Sequence, residues 1–232
     1  MIVRNWMQKN PITVTGDTPV VEAQHLVSEH DLRILPVMEG GRLRGVLTRK
    51  NLNEAANCVA RTQNIHEVNY FVNRLKVKDL MNRMVKTVDI NDTVEYCMLK
   101  GRRESVSTFP VLENGVLVGL VSEVEIFESL LHILGAEERW EGITLEPMEV
   151  KHGTLGRIAQ TAEAAGATIH GLLTMRLKDS TLKKVILRFE TADLDQVVKS
   201  LETAGYKVFE VISDVQACRL EAGNHGVKCP AP

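Results

Sequence analysis

The sequence predicts a mixed fold, α/β and α+β: two copies of a β-α-β-β-α unit, then a smaller β-α-β-β-α-β domain. Three observations predict it. First, the stretch from Met7 to Asn51 returns from Met81 to Glu125 at a constant offset of 74 residues, without a gap. Thr13-Val14 matches Thr87-Val88, Val20 matches Val94, Pro36-Val37 matches Pro110-Val111, and Gly41, Leu43 and Gly45 match Gly115, Leu117 and Gly119. A register held this strictly means one fold unit used twice. Second, apolar residues inside each copy switch from helical to strand spacing, with glycine turns between them. Third, a different pattern begins at Ile143.

In the first copy, Thr13-Val14 is a short β-type stretch after a proline. Val20, Ala23, Leu26 and Val27 share one face of a helix. Ile34 to Met38 is an apolar strand, Glu39-Gly40-Gly41 turns it, and Leu43 to Thr48 returns. A helix follows over Asn51 to Ala60. The second copy repeats this order: Val94, Cys97 and Met98 on a helix, Phe109 to Leu112 as a strand, Asn114-Gly115 as the turn, Val116 to Ser122 as the return, and Val124 to Leu134 as a helix. Met1 to Trp6 reads as a lead-in strand or turn. Residues 58–74 read as a polar linker, in which His66 and Glu67 lack further residues at metal-ligand spacing.

These repeats resemble the CBS (cystathionine-β-synthase-type) domain. The residues that carry the likeness are Met7, Pro11 to Val14, Leu35-Pro36-Val37 and Gly45 to Thr48, then Met81, Lys86-Thr87-Val88, Phe109-Pro110-Val111 and Gly119 to Ser122. The resemblance implies a Bateman-type module, with one repeat in 1–57 and the other in 75–134.

The chain then runs through a charged linker, 135–142, whose Trp140 expects a neighbour to dock on. Within 143–213, Ile143 to Val150 is a strand. Thr154 to Ala165 is a helix with Leu155, Ile158, Ala159 and Ala162 on one face, ended by Gly166. Ala167 to Leu177 and Thr181 to Glu190 are strands, the second with Val185, Leu187 and Phe189 in alternation. Thr191 is the expected cap of a helix carrying Leu194, Val197, Val198 and Leu201, and Tyr206 to Ile212 is the last strand. That order is a ferredoxin-like split unit. With Gly153-Thr154-Leu155, Ala164 to Ile169 and Leu201 to Val208, it resembles the ACT domain. The likeness places a candidate ligand turn at His152, Gly153, Thr154 and Leu155. That family often has Asp-x-Pro-Gly there; Val150, Lys151 and His152 depart from it, so a structural, dimerising role is expected over amino-acid binding. Residues 214–232 read as a loose tail. A CBS pair followed by an ACT domain resembles the acetoin-utilisation (AcuB-type) proteins in domain order and size.

Composition bounds the rest. The chain has 232 residues, 44% hydrophobic and 25% charged, as globular chains do. A net charge of −2 gives no electrostatic footprint for nucleic acid, and no apolar run reaches membrane-spanning length. No signal-like apolar stretch opens the chain, and Cys58, Cys97, Cys218 and Cys229 lie far apart, so reduced thiols in a cytoplasmic protein are expected, with no metal site.

The CBS likeness implies nucleotide-binding positions at Val14, Pro36, Thr48, Arg49, Lys50 and Asn51, and at Val88, Pro110, Ser122 and Glu125. Family members that bind adenosine compounds carry Gly-h-x-Thr/Ser-x-x-Asp, the hydroxyl for phosphate or ribose and the Asp for both ribose hydroxyls. Here the final position is Asn51 in one copy and Glu125 in the other. A carboxylate can accept from a diol at both oxygens and an amide cannot, so the second site suits ribose. Thr48, Arg49 and Lys50 suit phosphate in the first. The competing reading is that Thr48 and Ser122 only cap the helices after them.

No P-loop and no G-x-S-x-G motif occurs. Gly153-Thr154-Leu155-Gly156 reads as a turn, His152 and His170 as polar loop and strand surface, and Arg102-Arg103 as a solvated helix end. The expectation is a regulatory sensor, not an enzyme. Its candidate ligands are AMP, ATP, S-adenosylmethionine or NADH, with no covalent cofactor. It would form a homodimer or larger assembly and act on a regulated protein, with no nucleic-acid or membrane partner. The alternative is an assembly module that binds no ligand.

Overall fold

The computed structural model describes residues 1–60 and 74–213, with side chains left aside at 56–60. The expected tail at 214–232, most of the 58–74 linker with His66 and Glu67, and the thiols of Cys58, Cys218 and Cys229 lie outside the described residues. The chain forms two compact units, Met1–Glu128 and Ser129–Pro232.

In the first unit, β1 (Gln8–Lys9) precedes α1 (Val20–Glu29), the hairpin β2 (Ile34–Glu39) and β3 (Arg42–Thr48), and α2 (Arg49–Ala60). Gly40 and Gly41 turn the hairpin with φ of 55° and 75°, left-handed values that suit glycine. Ile34 pairs with Thr48 at one end and Glu39 with Arg42 at the other, with a bulge at Val37/Met38. The amide of Val14 donates to Pro36 O (3.0 Å) and that of Met38 to Val14 O (2.8 Å), adding a parallel edge. Val20, Ala23 and Val27 bury one stripe of α1 against Leu35, Val37 and Leu47.

The second repeat has the same parts: α3 (Val77–Leu80), β4 (Val88–Asp89), α4 (Val94–Glu104), β5 (Thr108–Glu113), β6 (Val116–Ser122) and α5 (Glu123–Leu134), the last running into the second unit. Its bulge at Val111/Leu112 and its Asn114-Gly115 turn reproduce the first hairpin. Thr93 caps α4 by accepting from Tyr96 N.

Each repeat borrows its lead-in from the other. β1 pairs with β6, Gln8 opposite Leu120 and Lys9 opposite Gly119. Asn82 and Val46 exchange both backbone hydrogen bonds, at 2.9 and 3.0 Å. Val3, in a short 3₁₀ turn at Val3–Asn5, is fully buried with Val88, Phe109 and Val111 of the second repeat. Val77 is buried with Val14, Val37 and Leu47 of the first. The glycines explain the close approach: a Cβ on Gly119 or on Gly45 would stand 2.7 Å from the sulfur of Met7 or Met81 respectively.

The second unit holds β7 (Glu141–Leu145), α6 (Thr154–Ala164), β8 (Thr168–Arg176), β9 (Lys183–Glu190), α7 (Leu194–Thr203) and β10 (Val208–Ile212). The antiparallel sheet has order β10-β7-β9-β8. Val185, Leu187 and Phe189 point from β9 into a core closed by Ile143, Leu145, Ile158, Ala162, Val197 and Leu201. Trp140 stacks on His170, ring centroids 4.3 Å apart. Two expectations are corrected. β7 ends at Leu145, not Val150, and only an isolated bridge from Met148 to Lys183 continues the edge. Asp193, not Thr191, caps α7 by accepting from Gln196 N at 3.0 Å, because it directly precedes the helix; the Thr191 hydroxyl accepts from Asp193 N instead.

Candidate functional site: the strand ends facing the repeat interface

Alternation along the hairpins divides the candidate residues. Leu35, Val37 and Leu47 face the core of the first repeat, as Phe109, Val111 and Val121 do in the second. The opposite face carries Ile34, Val46 and Leu120, which pack on one another between the repeats. Thr48, paired with Ile34, and Ser122, paired with Thr108, end the strands on this second face, with Pro36 and Pro110 in the same rows. Val14 and Val88 are buried in the repeat cores, so they shape the site through backbone pairing.

The third residue after each hydroxyl folds back on it. The Thr48 amide and hydroxyl both donate to Asn51 Oδ1, at 3.1 and 2.7 Å, and Asn51 N donates to Thr48 Oγ1 at 3.1 Å. In the second repeat the Ser122 amide (2.7 Å) and hydroxyl both donate to Glu125 Oε2, and Val124 N donates to Ser122 Oγ at 3.2 Å. These are helix-capping arrangements at the starts of α2 and α5. Glu125 keeps Oε1 clear of protein hydrogen bonds among the described residues.

Around the first site, Arg49 is engaged elsewhere. Its guanidinium donates to Leu32 O (2.7 Å) and pairs with Asp31, and that hydrogen bond holds the Asp31 carboxyl below its ordinary range. Lys50 is exposed and stands 3.8 Å from Glu54. The phosphate partners expected there are therefore not gathered around Thr48.

The second site has a buried hydroxyl that the motif does not reveal. Thr108 is only 8% exposed, as is Ser122 opposite it, and its hydroxyl has no hydrogen-bond partner. Glu104 Oε2 is likewise buried without one, with Lys86 Nζ 3.8 Å away. Seventy-four residues earlier, Ile34 and His30 stand where Thr108 and Glu104 stand here. Arg33 of the first repeat reaches Glu123 of the second at 3.2 Å. The polar-for-apolar exchange at Thr108 was the sequence signal available for this difference.

Residues 3–57 and 77–132 match the CBS domain family. The two repeats are a tandem pair of CBS domains. The pair is 31% identical over 120 residues to inosine-5'-monophosphate dehydrogenase of Korarchaeum cryptofilum, covering 51% of this chain and 22% of that protein. A CBS domain-containing protein of Dictyostelium discoideum is 26% identical over 137 residues, covering 58% of this chain and 94% of that one. Among solved structures, a putative acetoin utilization protein (AcuB) from Vibrio cholerae aligns with a TM-score of 0.50 at 19% identity, over 60% of this chain and 96% of that one; that likeness concerns the fold alone. The chain spans a quarter or less of the first three curated relatives it matches.

In the second unit, the candidate turn has Gly153 with φ of 78° as the N-cap of α6. Thr154 is buried and its hydroxyl accepts from Lys151 N at 3.1 Å; Leu155 packs on the core and His152 is exposed. Lys151 pairs with Glu149 at 2.6 Å. Among the described residues no group of three or more His, Cys, Asp and Glu is placed to hold a metal, and no helix is long and apolar enough to cross a membrane.

Proposed function

We propose that this chain is a regulatory sensor whose CBS pair binds an adenosine-type nucleotide, and that its C-terminal ferredoxin-like, ACT-type domain passes occupancy to a partner protein. The observation that carries the reading is the polar wall of the second site: Ser122 and Glu125 at the strand end, with the buried Thr108 hydroxyl opposite and unpartnered. A buried hydroxyl left without a bond costs about 1–3 kcal/mol, which a ribose hydroxyl or ring nitrogen would recover. Glu125 Oε1 supplies the charged acceptor for a ribose hydroxyl. Ligand binding would favour one arrangement of the repeats, with Arg33–Glu123 and the exchanged lead-ins linking them.

A second reading, an assembly module without a ligand, draws on two observations. The Thr48–Asn51 and Ser122–Glu125 pairs already satisfy one another as helix caps. The helices also leave large apolar side chains exposed, Leu99 at 60% and Phe127 at 65%, with Tyr96 and Met98 beside Leu99 on α4. Both readings expect a homodimer, and a monomeric mass in light scattering at micromolar concentration would count against both. Thermal melting with AMP, ADP, ATP, S-adenosylmethionine and NADH separates them. A ligand at 100 times its Kd adds about 2.7 kcal/mol and a visible rise in Tm, whereas five flat responses leave the assembly reading.

A further inference from the structure

The hairpins run away from Thr48 and Ser122 toward their turns, and at that far end a separate cleft opens. Arg42 lies six residues from Thr48 along β3, roughly 20 Å at strand rise, so this cleft is distinct from the candidate nucleotide site. It encloses 680 Å³ between the Gly40-Gly41 turn, the Asn114-Gly115 turn and the segment from Arg83 to Thr87. Leu43, Val85, Leu112 and Val116 give it apolar walls, and Arg42, Arg44 and Arg83 give it charge.

The charge is not cancelled nearby. Arg42 and Arg44 are exposed and make no ion pair among the described residues. Arg83 is held in place by donating to Lys78 O at 2.8 Å, which leaves its cation uncompensated. Glu39 is the cross-strand neighbour of Arg42, but its carboxylate lies over Gly16, where a Cβ would come within 2.5 Å of Oε1. Glu113, beside the lining residues, is engaged by Arg4 at 2.8 Å. Gly40, Gly41 and Gly115 line the mouth, and nothing lies within 4 Å of where their Cβ atoms would be.

We propose that this cleft is a second ligand site, for a small molecule carrying two or more adjacent phosphates. Guanidinium groups suit phosphate because each offers paired donors in a fixed plane, and three of them match a chain of phosphates better than a single anion. A concave site of this size, in a chain of net charge −2, fits a small oligophosphate and not an extended nucleic-acid strand. Arg83 directly follows Asn82, which is bonded to Val46 of the other repeat, so occupancy would act on the contact between repeats.

The test is calorimetric titration of inorganic tripolyphosphate at low ionic strength into the full chain. The variants are Arg42→Gln/Arg44→Gln, Arg83→Gln and, as a control that also removes two charges, the exposed pair Lys199→Gln/Lys207→Gln. Expected are binding at one site per chain, at least tenfold weakening in the first two variants, a change under twofold in the control, and no displacement by AMP. The conservative Arg42→Lys/Arg44→Lys keeps the charge and is expected to weaken binding less than the Gln pair; it also serves if the Gln pair does not fold. Absence of binding to wild type, equal loss in the control, competition by AMP, or tighter binding of a single-stranded oligonucleotide than of tripolyphosphate would each overturn the proposal.

Discussion

Replacing Glu125 perturbs two things at once, and the structure allows them to be separated. Oε2 accepts from the amide and hydroxyl of Ser122, so Glu125→Ala opens the cap of α5. A lost cap of this kind costs about 0.5–2 kcal/mol of stability. Oε1 is the acceptor proposed for ribose, and losing a charge-assisted bond there costs about 1.5–3 kcal/mol, roughly 10- to 150-fold in affinity. Glu125→Gln retains an acceptor for Ser122 and removes the charge, so it should keep most of the stability while still losing affinity. The assay is titration of AMP and ATP into wild type, Glu125→Ala, Glu125→Gln, Ser122→Ala and Asn51→Ala, with each variant's melt recorded. Glu125→Ala is expected to lose most nucleoside binding, Ser122→Ala to resemble it, and Asn51→Ala, whose side chain only caps α2 and has no phosphate partners gathered beside it, to change the affinity for AMP and ATP little. If Glu125→Ala binds like wild type while Asn51→Ala does not, the ribose site has been placed in the wrong repeat. If wild type binds neither nucleotide, the sensor reading fails.

Gly119→Ala should cost about 1–3 kcal/mol, because its Cβ would stand 2.7 Å from the backbone oxygen of Gln8; Gly156→Ala, with nothing within 4 Å, should stabilise by about 0.5–1 kcal/mol, both read from chemical denaturation. Cys97 is buried, and desolvation pushes its thiol up to about 11, so it should resist alkylation at pH 8 until the protein is unfolded, as mass spectrometry would show. Hydrogen bonds from Lys78 and then Lys76 hold the Asp17 carboxyl at about 2 instead of 3.8. A depressed carboxylate stabilises the fold above its unfolded pKa and loses that contribution as pH falls through the folded one. The small Tm gap between wild type and Asp17→Asn should therefore be present at pH 7 and close between about pH 4 and 2; a gap that widens on acidification would refute the sign.

Much of the first unit was legible because its signals are local. The repeat offset carries over to the bulges at Val37/Met38 and Val111/Leu112, which lie 74 residues apart. The turns were legible because Gly40-Gly41 and Asn114-Gly115 suit left-handed backbone. The helix after Asp193 was legible from its apolar stripe, but its cap was misplaced by two residues, because Thr191 and Asp193 both suit that role and only the path of the chain selects one. At the candidate site, the motif identified Thr48, Asn51, Ser122 and Glu125 but not where their polar atoms point. The Arg49 contacts with Leu32 and Asp31 join residues 17 and 18 positions apart, a distance no local pattern encodes.

What the sequence by itself determined is the content of each repeat: apolar periods set which strand face is buried, and glycine-bearing turns set where each hairpin reverses. Only the tertiary structure decided which repeat each lead-in joins. Met7 and Met81 occupy the same place in the repeat, and Gly119 and Gly45 offer each the same side-chain-free strand, so either pairing satisfies the local pattern. The observed exchange, β1 on β6 and Asn82 on Val46, follows from burying Val3 and Val77 in opposite cores, a preference that exists only once both cores are assembled.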